Sequence, residues 1–182
     1  LAARAAPETL PPAHFARAEP VSRMLRGATL VFPKQAGAVA HPSGLVLLQS
    51  PAFVLTRLDV VRALRCPSEG GARPEARRSR GGKTEEHLGG SQPLYRFEDG
   101  VEAVLAAPSG GKLLCVDLAA EELVVRESAL VALVAPAEHE TARLPGVDGE
   151  AIPRVRLRGP GHVVLSLPPS YATLEVDRKS VV

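Results

Sequence analysis

Apolar positions along this chain come in short runs, and turn residues separate them. Residues 93–134 show it best: PLYRFEDGVEAVLAAPSGGKLLCVDLAAEELVVRESALVALV. Asp-Gly, Pro-Ser-Gly-Gly and Ala-Ala-Glu-Glu interrupt the apolar stretches there. Short Val- and Leu-rich runs bounded by Gly, Pro and Asp predict strands, because β-branched side chains suit a pleated surface and the bounding residues suit turns. The same reading places strands at 29–32, 36–40, 45–49, 53–56, 58–64, 94–97, 102–106, 112–117, 123–126, 129–134, 154–157, 162–167 and 173–176. Leu58, Val61 and Leu64 also fit one face of a helix, and 119–134 has the Ala, Glu and Leu content of one. Paired valines favour strand in both places. Leu113-Leu114-Cys115-Val116 and Val163-Val164-Leu165 barely alternate. Strands covered on both faces read that way.

The pattern recurs. Laying residues 93–117 on 153–177, a shift of 60, needs no gap. Pro93 meets Pro153, Arg96 meets Arg156, and Val104-Leu105 meets Val164-Leu165. A second shift, of 69, sets Arg57 on Arg126 and Ala63-Leu64 on Ala132-Leu133. Recurrence at fixed offsets signals one supersecondary unit used repeatedly to bury a shared core. The expectation is three units, at residues 27–66, 93–136 and 150–182, the last cut short. The expected fold class is all-β, an internally repeated β-sandwich or shortened double-stranded β-helix.

Two segments fall outside that pattern. Residues 1–26 are rich in Ala and Pro and read as an arm or linker, leaving 27–182 as a single β-repeat domain. Residues 67–92 contain almost no apolar side chains; Arg73, Arg77, Arg78, Arg80 and Lys83 mix with Glu69, Glu75, Glu85 and Glu86. Such a segment buries too little surface to offset its ordering entropy, so a long, disordered-like loop is expected. The chain starts at Leu1 and stops at Val182 inside an expected strand, so both ends read as cut from a longer frame.

Composition narrows the partners. Apolar residues make up 45%, enough for a core, but aromatics only 3%, so stacking platforms for single-stranded nucleic acid are missing. A net charge of +2 implies no strong field. Cys66 and Cys115 form no Cys-x-x-Cys pattern; Cys115 reads as a buried thiol within a strand, and a reducing, cytoplasmic setting is expected. No apolar run approaches the ~20 residues of a membrane span, and the N-terminus lacks the apolar core of a signal peptide.

The run VDLAAEELVVRESALVALV within residues 115–134, and VRLRGPGHVVLSL at 155–167, resemble the altered-inheritance-of-mitochondria family, also called the mitochondrial biogenesis family. The similarity extends more weakly over residues 29–64. It implies an all-β fold of internal repeats, of the type shared by the tryptophan RNA-binding attenuation protein. It also implies self-association. No site motif carries over with it.

Candidate chemistry is sparse. Gly82-Lys83-Thr84 resembles the end of a phosphate-binding loop, but Arg77 stands where its first Gly belongs. Glu138-His139-Glu140 holds metal-ligating types, yet His14, His41, His87, His139 and His162 are scattered, and an exposed charged turn is expected there. Ser128, Ser166 and Ser180 lack the Gly-x-Ser-x-Gly context of a nucleophile elbow. The basic residues of 73–83 could touch phosphates, but interleaved acids blunt that. Arg57, Arg96, Arg126 and Arg156 recur at related positions and read as edge or ion-pair charges. No catalytic, cofactor-binding or metal residue is therefore assigned. The expected role is a non-enzymatic, self-associating interaction module with a homo-oligomeric or protein partner. Its rival is a small-ligand or metal-binding β-helix around His139 and Glu140, possibly an enzyme, and RNA binding through the basic loop ranks third.

Overall fold

A computed structural model describes residues 30–67, 71–79, 82–108, 111–145 and 151–168. The expected arm and the last expected strand, at 173–176, lie outside the described residues. Of the first expected strand, at 29–32, Leu30, Val31 and Phe32 are described and form no strand; the first strand begins at Gly37. The chain divides into two units, and the second begins at Val31.

No α-helix is among the described residues, most of which lie in strands. In chain order they are β1 (Gly37–Ala40), β2 (Val46–Ser50), β3 (Phe53–Arg57), β4 (Val61–Arg65), β5 (Arg73–Pro74), β6 (Ala76–Ser79), β7 (Gly82–His87), β8 (Leu94–Glu98), β9 (Val101–Leu105), β10 (Lys112–Asp117), β11 (Glu122–Arg126), β12 (Leu130–Val134), β13 (Glu138–Pro145), β14 (Ala151–Arg158) and β15 (His162–Leu167). Single 3-10 turns, Leu58–Val60 and Glu127–Ala129, join β3 to β4 and β11 to β12. Leu58, Asp59 and Val60 thus form a turn where strand was expected, and Ala129 likewise. Neither segment is a helix, because its valines enter ladders with strands far away in sequence.

The strands stack as three sheets. A central six-stranded sheet runs β10-β15-β12-β3-β8-β5. A four-stranded sheet, β1-β2-β9-β4, shares one apolar core with it: Val46, Leu48, Ala103 and Leu105 meet Val54, Ala132, Val134 and Val164. A three-stranded sheet, β11-β14-β13, shares the other: Val155 and Leu157 meet Leu55, Leu133, Val163 and Leu165. Successive residues of the central strands therefore feed opposite cores, as Val54 and Leu55 do. That is why those runs are continuously apolar. The Asp-Gly at 99–100 is a corner between layers. Asp99 and Gly100 both take left-handed φ, 64° and 72°, and their amides donate to the Ala52 and Pro51 carbonyls.

The two sequence shifts describe the pairings. β3 pairs with β8 as Phe53↔Glu98 through Arg57↔Leu94; β11 pairs with β14 as Glu122↔Arg158 through Arg126↔Arg154. β4 pairs with β9 with a bulge between Val61 and Ala63; β12 pairs with β15 with a bulge between Leu130 and Ala132. Adding 69 to the first strand of each pair and 60 to the second converts one ladder into the other. These registers gather the strands into two blocks, β2–β9 and β10–β15, rather than the three units expected. Residues 151–167 complete the second block, as β14 and β15, instead of opening a third.

Residues 67–92 differ most from expectation. Three strands form there: β5 adds to the edge of the central sheet beside β8, and β6 and β7 make a two-stranded hairpin. The segment is ordered mainly by backbone ladders and ion pairs, with Leu88 at its end buried in the second core, so its sparse apolar pattern did not reveal it.

Candidate functional site

The charged residues of that hairpin converge on the start of β13 and on the 3-10 turn before β12. Arg77, on β6, donates two hydrogen bonds to the Glu127 carboxylate, at 2.9 Å from Nε and 2.8 Å from Nη2. Both side chains are largely buried. The Gly89 amide donates to the same carboxylate at 2.6 Å. Arg77 also bonds Glu86 on β7, which accepts from Arg143 on β13 at 2.9 Å. The bonds from Arg77 and then Arg143 hold the Glu86 carboxyl below the usual carboxylate range. The bond to Glu127 raises the Arg77 guanidinium further despite burial. A cavity of ≈ 360 Å³ lies here, lined by Arg77, Thr84, Glu86, Glu127, Thr141 and Arg143.

A second cluster sits beneath β5. Buried Glu75 faces Arg78 at 3.0 Å, Arg96 at 3.7 Å and His139 Nε2 at 4.0 Å. Arg96 also lies 3.7 Å above the Phe53 ring and pairs with Glu98 at 2.8 Å. The His139 Nε2 is buried with no hydrogen-bond partner among the described residues. Burial holds this imidazole below its usual range, although Glu75 pulls the other way.

The sequence candidates fall as follows. Glu138-His139-Glu140 is not an exposed turn: it opens β13, with Glu138 exposed and His139 and Glu140 half-buried. The described residues bring together no three metal-ligating side chains. Gly82-Lys83-Thr84 is exposed strand β7 with no helix after it. Ser128 lies in a 3-10 turn, where its carbonyl accepts from Arg57; Ser166 is in β15, and Ser180 is outside the described residues. Arg73, Arg77 and Arg78 each face a glutamate, which spends the basic character expected of the loop. Of the recurring arginines, Arg57 is buried against Asp59, Arg96 holds Glu98, Arg156 holds Glu122 at 2.9 Å, and Arg126 is exposed. Cys115 is half-buried rather than fully so, and burial pushes its thiol up.

The Arg77–Glu127 pair spans 50 residues of sequence and was not anticipated. A signal for it existed: the shift of 69 sets Glu127 on Leu58, a charge where the other block has an apolar residue. These clusters cross-brace the two blocks. Their carboxylates are committed to arginines. No family model, curated protein or solved structure matches the chain.

Proposed function

We propose that this is a non-enzymatic β-repeat module, akin to the mitochondrial biogenesis family, that self-associates and serves in the cytoplasm as an assembly or interaction unit. The observation that carries this reading is a pair of sheet edges, β4 and β11, that have no strand beside them among the described residues and yet display apolar side chains. Open edges template pairing with another chain unless they are blunted by charge, proline or cover. The internal neutralisation of Arg77, Glu86, Glu127 and Arg143 also supports a bracing role for the charged clusters over a catalytic one. Light scattering on the eluting protein tests the reading. A mass above one chain at micromolar concentration is expected; a monomer there contradicts it.

A second reading has one observation in its favour. The unpartnered His139 Nε2 adjoins a cavity of ≈ 270 Å³ lined by Phe53, Arg96, Ala135, Pro136 and Glu138. A small polar ligand or a metal ion would satisfy that nitrogen. Stoichiometric metal in protein purified without chelator would support this reading, and its absence together with oligomerisation would favour the first.

A further inference from the structure

The chain contains its own template for joining blocks. In the central sheet β12 of block two pairs with β3 of block one, as Ala132↔Thr56, Leu133↔Leu55 and Val134↔Val54. The counterparts of those strands are β4 and β11, each of which ends a sheet among the described residues. The central sheet reads β10-β15-β12 up to that seam and β3-β8-β5 beyond it. The outer sheets hold the same series in two pieces: β2-β9-β4 ends at one edge and β11-β14-β13 begins at the other.

We infer that β4 of one copy pairs antiparallel with β11 of a second copy, head to tail, in the register of the β12–β3 seam. The shift of 69 sets Ala63 opposite Val125, Leu64 opposite Val124, and Arg65 opposite Leu123. This rests on the self-association reading above and names the surface that would carry it.

Three features support the register. The first is burial at matched positions. Leu133 and Leu55 are 0% exposed within the covered seam, whereas their counterparts Leu64 and Val124 are 38% and 52% exposed.

The second is chemistry across the seam. Arg57 donates to the Ser128 carbonyl at 3.4 Å; the matched positions are Arg126 and Asp59, where the equivalent acceptor is the Asp59 carbonyl, its carboxylate being held by Arg57.

The third is the Arg77–Glu127 contact. Glu127 corresponds to Leu58. Arg73 opposes Arg96 as Glu140 opposes Arg156, a shift of 67 on β5; carried past the end of that strand into β6, the same shift sets Arg77 on Leu144. Leu58 and Leu144 are each 48% exposed. An ion pair at the covered seam thus becomes a leucine pair at the open one. Leu58, Leu64, Val124 and Leu144 are four of the seven exposed large hydrophobics among the described residues, so the proposed joint gathers most of them.

Such a contact uses different surfaces on the two partners, so copies add in one direction. The series closes as a ring if the rotation permits and otherwise extends as a filament.

The test uses the full chain with Leu64→Lys or Val124→Lys, since lysine at an edge position opposes strand addition. Both sites are exposed, and circular dichroism checks that each variant stays β. Native mass spectrometry and light scattering then read the mass. Each variant alone is expected as a single chain. A mixture of the two is expected as a 1:1 dimer, because the Val124→Lys chain keeps an intact β4 and the Leu64→Lys chain an intact β11. A wild-type oligomer that neither substitution disturbs overturns the joint and leaves the self-association reading standing. A monomeric wild type overturns both. Variants that fall apart but do not pair on mixing overturn the head-to-tail register.

Discussion

The β3–β12 seam and the two open edges, β4 and β11, are built from corresponding residues and meet opposite fates. Leu55 and Leu133 face each other inside the central sheet, while Val124 and Leu64, their counterparts, face solvent. The seam is reinforced by a buried ion pair, Arg77 with Glu127; the positions set on them by the shifts are Leu144, on β13, and Leu58, in the 3-10 turn before β4. Burial at a sheet position is therefore not a property of the residue or of its local strand. It depends on whether another block stands beside it. A one-chain seam can use a charged pair because both partners are held in place by the same fold, and breaking that pair would strand a buried charge.

The difference can be broken most strongly at its centre. Leu133→Ala should lower stability by about 4 kcal/mol, because it opens a cavity where nothing is exposed. Leu64→Ala, the matched change at the open edge, should move the stability of the isolated chain by no more than about 0.5 kcal/mol. Urea unfolding of both variants in dilute solution checks this, and equal losses would mean that the two edges do not differ as described.

Next in size is Glu127→Ala, which leaves Arg77 buried without its main partner. A loss of about 3 kcal/mol is expected, at the low end for a broken buried pair because Glu86 still holds Arg77. Leu58→Ala, at the matched site, should leave unfolding nearly unchanged and weaken association instead.

A smaller effect should appear with acid. The His139 imidazole is held below its ordinary value of 6.5, so below that pH the unfolded chain binds a proton that the folded chain resists. Stability from this group is complete above pH 6.5 and falls as the pH drops from there toward the lowered value. His139→Leu should flatten that slope in unfolding curves recorded between neutral pH and the carboxylate range. An unchanged slope would place the titrating group elsewhere.

What the sequence disclosed follows the same division. The strands that line the two cores were legible, since Val54-Leu55, Leu130–Val134 and Val163–Leu165 feed apolar interiors on one or both faces. Over 94–105 the shift of 60, and over 53–65 the shift of 69, match the ladder registers; the rest of the first shift, 112–117 on 172–177, lies outside the described residues. The grouping of the ladders into blocks was not legible. Each shift covers half a block, and only the pairings show that β3–β4 belongs with β8–β9. Strands β5 to β7 were hidden because they are held by ladder bonds and by Arg–Glu contacts, with β7 exposed throughout. Charged residues in such a hairpin look like those of a solvated loop. The contact of Arg77 with Glu127 was hidden for another reason, since nothing local to either residue points to the other.

The central claim, that the open edges join as the covered ones do, is tested most directly by cross-linking across the proposed register. Leu64→Cys and Val124→Cys are made in separate chains in which Cys66 and Cys115 are replaced by alanine. Directly opposed residues of an antiparallel pair have Cβ atoms about 4.5–5.5 Å apart, close enough for a disulfide after small adjustment. The account predicts a covalent dimer on mild oxidation of the mixture and none from either chain alone. A mixture that stays unlinked, or a disulfide formed as readily by one variant with itself, would contradict it.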